Sequence, residues 1–225
     1  MEHMLIILII INLIINIFAL AIFELKKPAI REFLPLVVIC TGACLGRVIF
    51  SFIPQIQPVT ALVIITGSAY GSLYGYITGS LCALISNMML GQGPWTLFQM
   101  TAWGTIGFIA GIIGHLFKDK SEKGNILIST DDFCKPYKSA KKGKGIAELA
   151  AFSLYGLLSA ILFSIITDTL TAAYLGEALT LSSAIAVFIT GIVFNISHGI
   201  FNVVLIILIY TPVKRSLLRI KVLVN

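Results

Sequence analysis

Polar residues punctuate this chain at only a few points, and between them the apolar stretches run unbroken for longer than a soluble helix or strand requires. Seven such stretches are legible, at residues 4–23, 34–50, 59–75, 76–91, 98–117, 146–172 and 183–210. Strands of a membrane barrel would alternate apolar and polar residues. Continuous runs near the length of about 20 residues needed to cross a bilayer predict helices instead. The third and fourth are short, which predicts a hairpin near Tyr74 to Tyr76; the sixth and seventh are long enough to be tilted.

Composition turns this pattern into a class. Only 12% of residues are charged and 58% are hydrophobic, with a mean hydropathy of +1.00. A soluble domain carries about 25% charged residues, so the expected fold is an all-α integral membrane protein. Every Lys and Arg except Arg47 falls in one of three segments: Lys26 to Arg31, Lys118 to Lys144, and Lys214 to Lys221. Seven spans put all three on one face. Lys and Arg favour cytoplasmic loops, so the N-terminus is expected outside and the C-terminus in the cytoplasm of a cell-membrane protein. The outward connections at 51–58, 91–97 and 173–182 then contain no Lys or Arg. The net charge of +6 suits loops beside anionic lipid heads. It does not suggest a nucleic-acid surface, for which the basic and aromatic interleaving is missing. Ala19-Leu20-Ala21 imitates a signal cleavage site, but the charge order around residues 4–23 is that of a retained span.

Beyond the spans, the one sizeable connection is residues 118–145, Lys-rich and read as a solvated cytoplasmic loop. No phosphate-cradling glycine motif of the Walker type is present, and no ATP hydrolysis by this chain is expected. Gly67, Gly71, Gly75 and Gly79 form a ladder at four-residue spacing, continued by Gly104, Gly107, Gly111 and Gly114; such small residues let helix backbones approach closely. Cys40 and Cys44 lie one turn apart in the second span, Cys82 in the fourth and Cys134 in the cytoplasmic connection. None is placed for a disulfide in an oxidising space. His3, His115 and His198 share no ligand spacing, so neither a metal site nor a cofactor is expected.

Polar groups inside a membrane are costly and usually face the bundle interior. Their placement is therefore the main clue to function. Arg47 lies near the outer end of the second span and Asp168 near that of the sixth. Asn87 lies one turn under the outer end of the fourth. The segment GQGPWTLFQMTAW at 91–103 supplies Gln92, Trp95, Gln99 and Trp103, and the Pro-Gln-Ile-Gln-Pro loop at 54–58 adds Gln55 and a second amide held between prolines. Arg47 has three readings: a side chain snorkelling to the interface, an ion pair with Asp168, or a ligand contact. Trp95 and Trp103 suit an aromatic belt or a binding wall. Asn195, His198 and Asn202 share a face of the last span; counted from residue 183, His198 lies about 22 Å below the outer surface. That face reads as a ladder of interhelical hydrogen bonds. Asn12 and Asn16 read as a similar device, against a neighbour or a second copy.

These residues carry a resemblance. Lys26-Lys27-Pro28, Gly46-Arg47, Pro54 to Val59, the glycine ladder, Ser86-Asn87, GQGPWT-x-x-QM-x-x-W-G and Ser197-His198-Gly199 with Asn202 resemble substrate-binding S components of energy-coupling factor (ECF) vitamin transporters. The resemblance implies a six-helix core at 34–210, preceded by an additional helix and linker at 1–33 and followed by a basic tail at 211–225. It implies a vitamin-like ligand enclosed by the three outward connections, with the cobalamin-associated members the nearest subgroup. It also implies partners: a transmembrane coupling protein and a pair of ATPases that drive the S component to topple in the bilayer. Gly42 and Gly46 match the small-residue docking face of the first core helix. An autonomous secondary transporter would instead place ion-coupling groups near the midplane and often show inverted repeats. An intramembrane Ser197-His198 enzyme is disfavoured, because adjacent helical residues do not face each other.

Overall fold

The computed structural model describes residues 2–28, 30–117, 142–175 and 180–223, and among them helix is the one type of regular secondary structure. The helices are α1 (Glu2–Leu25), α2 (Ile30–Ile49), α3 (Val59–Tyr70), α4 (Ser72–Leu90), α5 (Trp95–Phe117), α6 (Lys142–Leu175) and α7 (Leu181–Leu223). Six are long and apolar enough to cross a membrane; α3, with 12 residues, is the short one. The connection at 118–141 lies outside the described residues, so the expected loop at 118–145 is seen only where α6 begins. The segment expected as a tail from 211 is a continuation of α7 to Leu223.

The hairpin between the third and fourth spans turns at Gly71, a few residues before the expected Tyr74 to Tyr76. Gly71 has φ 104° and its N–H closes α3 on the Gly67 carbonyl. That backbone region is open to glycine and strained for any residue with a Cβ. The turn divides the glycine ladder, and both halves then close onto α5. A Cβ on Gly67 or on Gly75 would each lie 2.2 Å from the Gly107 carbonyl oxygen. On α4, Gly79 meets Trp103 and Ser72 meets Gly111, so α4 runs antiparallel to α5; on α3, Val63 meets Gly107 and Ser68 meets Gly114, so α3 runs parallel to it. The ladder is therefore a packing device around α5, which the register of three backbones requires.

Polar contacts brace the end of the bundle next to the basic segments. Tyr74 donates to Glu32 at 2.5 Å and Tyr70 to the Leu217 carbonyl at 2.7 Å. Tyr210 and Lys214 both reach Glu148. Near mid-bundle, α1 is fastened to the core through Asn16, which donates to Thr101 at 3.0 Å and accepts from Tyr76 and Ser80. The partner of Asn16 is thus this chain itself.

Candidate functional site

Helix α2 delivers Arg47 to the opposite, distal end of the bundle, where Pro54 to Pro58 folds back beside it. The guanidinium is buried, with 6% of the residue exposed. Its Nε donates to Gln57 Oε1 at 3.0 Å, Nη1 to Ser86 Oγ and to Asn87 Oδ1 at 2.7 Å, and Nη2 to Gln99 Oε1 at 3.1 Å. Its carbon lies 4.8 Å from the centre of the Trp103 ring. Every polar partner is neutral. Among the described residues no carboxylate pairs with it, so the Arg47–Asp168 ion pair, one of the three readings of Arg47, is not formed. Five N–H groups of an arginine thus meet four neutral acceptor contacts and an aromatic face.

The acceptors are themselves fixed. Asn87 Nδ2 donates to Gln99 Oε1 at 2.9 Å and to Thr96 Oγ1 at 3.0 Å; Thr96 donates to Gln92, whose own amide closes on the Leu84 carbonyl. Gly91, with φ 109°, ends α4, and the Gly-Gln-Gly-Pro turn returns the chain into α5 at Trp95. The tight return aligns Asn87 with Thr96 and Gln99 across the two helices. Segment 91–103 therefore forms one wall of a polar net that is buried at Arg47 and Asn87 and exposed at Gln92. Trp95 stands outside that net: 45% exposed, its ring folds over Gly93, where a Cβ would meet it at 2.3 Å.

Trp103, 2% exposed, forms an aromatic floor. Its Nε1 donates to Thr60 Oγ1 at 3.0 Å, and the same oxygen lies 2.9 Å from His198 Nε2. Phe163 packs 4.8 Å from Trp103 and edge-on to His198. His198 is thus level with the second residue of α3, far more distal than the count from residue 183 suggested. Helix α7 has 43 residues, about 65 Å at about 1.5 Å per residue, so its first turns lie beyond the distal end and the count began too early. Its neighbours do form the expected ladder, Asn195 donating to Ser164 at 2.8 Å and Asn202 to the Gly156 carbonyl at 3.2 Å. His198 Nδ1 is buried and has no hydrogen-bond partner among the described residues.

Asp168 belongs to a second group, on α6 and α7. Ser164 donates to its Oδ2, Asn195 in turn donates to Ser164, and a Cβ on Gly191 would lie 4.0 Å from the same carboxylate oxygen. Asp168 and Asn195 are half-buried. Of the residues expected at the site, Arg47, Asn87, Gln92 and Gln99 form one net with Trp103 under it. Asp168 belongs to the separate α6–α7 group and Trp95 lies on the surface. Gln55 sits in the loop at φ 62°, and the neighbouring amide Gln57 makes the Arg47 contact. Ser86 and Thr96 entered only through the motifs of the resemblance; Thr60 and Ser164 were not legible, because a lone hydroxyl in an apolar span usually bonds its own helix, and Phe163 is one apolar residue among many. The Gly42–Gly46 pair is not one open face. A Cβ on Gly42 would meet nothing within 4 Å, whereas one on Gly46 would strike Pro58 at 2.3 Å.

Fold and site together define a helical integral membrane protein with preorganised polar groups gathered at one end of its bundle. The chain belongs to the ECF transporter substrate-specific component family, whose model matches residues 33–210. The match begins inside α2 and leaves α1 outside. No curated protein and no solved structure matches the chain. The family is one of transporter substrate-binding components rather than enzymes, and its members work with a coupling protein and ATPases.

Proposed function

We propose that this S component captures a vitamin-like micronutrient at the outer face of the cell membrane, cobalamin being the first candidate, and delivers it by toppling. The observation that carries the reading is the Arg47 net. All other cations of the chain lie in the three basic segments, so the distal end is expected to face outward. There a buried guanidinium is held by Gln57, Ser86, Asn87 and Gln99, an arrangement rigid enough to support a ligand without reorganising. Asp168 and Asn195 supply further half-buried polar groups on α6 and α7, and the buried Phe163–Trp103 pair packs beneath the net. A corrin would set its amide side chains against these polar groups.

Mass spectrometry of small molecules co-purifying with the detergent-solubilised protein tests this directly, followed by calorimetric titration with cobalamin. A stoichiometric vitamin retained without ATP or an ion gradient is the expected result. A different retained vitamin would replace cobalamin and keep the site. A protein that purifies empty and binds no vitamin in a panel titration would overturn the reading.

A further inference from the structure

The two intramembrane segments that carry cysteine meet. Cys40 and Cys44, on adjacent turns of α2, point at Cys82 of α4, and the three sulfurs lie within 4.8 Å of one another. Cys40 Sγ and Cys44 Sγ are 4.0 Å apart, and all three residues are at most 5% exposed. Sequence spacing concealed this triad, since 38 positions separate Cys44 from Cys82. The i and i+4 pair was visible, but its third member depends on how α2 packs against α4.

Three sulfurs bound to one ion at about 2.3 Å in a trigonal plane lie about 4.0 Å from one another. The triad is within a small side-chain rotation of that geometry. Among the described residues no fourth Cys, His, Asp or Glu joins the group, which argues against zinc, whose structural sites are four-coordinate. Thiolate ligands without nitrogen or oxygen donors select soft ions, Cu(I) among the first-row metals. We propose that Cys40, Cys44 and Cys82 bind one Cu(I) ion, which cross-links α2 to α4 beneath the Arg47 net.

The position of Arg47 supports the assignment. Three thiolates around a monovalent ion leave a negative centre, which a membrane interior tolerates only beside a cation. Arg47 lies one turn beyond Cys44 on α2, is buried, and has no carboxylate partner among the described residues. Arg47 thus offsets one of the two negative charges that the loaded triad would carry. Binding forms three copper–sulfur bonds and releases the thiol protons to solvent; no electron is transferred. Copper binding at the triad does not require the distal site to be filled.

The test is an anaerobic titration of the purified full chain with Cu(I) in competition with bathocuproine disulfonate, followed by X-ray absorption at the copper edge. We expect one Cu(I) per chain, surrounded by sulfur alone, with a rise in thermal midpoint that Zn(II) does not reproduce. Cys82→Ala and Cys40→Ala should each withdraw at least tenfold less copper from the chelator, whereas Cys134→Ala, in the 118–141 connection, should bind as the parent does. Failure of the parent chain to take copper from the chelator, in the titration and after growth with added copper, would overturn the proposal. So would equal binding by Cys82→Ala, or loss of binding in Cys134→Ala alone. Vitamin retention, measured on the same samples, separates this outcome from any failure at the distal site.

Discussion

Gln99 shows how one side chain can matter to both shape and recognition. Its Oε1 accepts from Arg47 and from Asn87, so it is the shared acceptor that holds the guanidinium against α4. Truncation leaves two buried donors short, and a lost hydrogen bond to a charged group costs about 1.5–3 kcal/mol. We expect Gln99→Ala to weaken retention of the co-purified ligand by about tenfold or more, read by calorimetry, while circular dichroism stays helical. Unchanged affinity would reduce the net to a structural brace. Arg47, Asn87 and Gln99 were legible in the sequence because arginine and amides stand out in apolar helices. Their partners were not. Depth counting placed Arg47 and Asp168 in the same layer, yet depth says nothing about which helix faces meet, and the two fall into separate groups. The proline-framed loop offered two amides, and the positive φ at Gln55 accompanies a turn that gives the contact to Gln57. His198 was misplaced because hydropathy does not reveal where a long helix enters the bilayer.

Helices in this bundle are joined by small residues, and the same residue type does opposite things on two of them. At Gly75, a Cβ would lie 2.2 Å from the Gly107 carbonyl oxygen; backbone cannot yield as a flexible side chain would. Overpacking of this kind costs about 1–3 kcal/mol. Gly75→Ala should therefore lower the thermal midpoint in detergent by several degrees, and an unchanged midpoint would show that α4 and α5 have room to separate. Gly42 has nothing within 4 Å and lies on the exposed side of α2 with Val38, Leu45 and Ile49. Gly42→Leu should leave the thermal midpoint and ligand retention as they are, yet abolish uptake when the coupling protein and ATPases are present. Gly46 is turned to Pro58 and is no longer a partner for that face. The number of helices was legible because apolar runs of membrane length have few alternatives. The turn at Gly71 was obscured because a glycine ladder reads alike on one helix or on two. The docking of α1 was half legible: Asn16 announced a polar contact, but only the fold identifies Thr101, Tyr76 and Ser80 as its partners.

The asymmetry of charge along the bundle gives the molecule a direction. Tyr74–Glu32 and Lys214–Glu148 contacts lie at the end next to the basic segments, whereas Arg47 alone represents Lys and Arg at the other. Each Lys or Arg near an anionic leaflet is worth about 1 kcal/mol, and translocated loops are depleted in both. These terms add over the three basic segments, and the inverted topology would oppose all of them at once. The distal loops should then be reachable from outside the cell. Ser51 is exposed in the loop between α2 and α3, and Cys40, Cys44 and Cys82 are buried. In a Cys134→Ser background, Ser51→Cys should react with a membrane-impermeant maleimide in intact cells, and a cysteine placed at exposed Arg215 should react only after the cells are opened. The reverse pattern would put the Arg47 net on the cytoplasmic side. An importer whose capture site faces the cytosol cannot collect its solute from the medium, so that single observation would remove the capture role while leaving the helices, the family and the packing of α5 untouched.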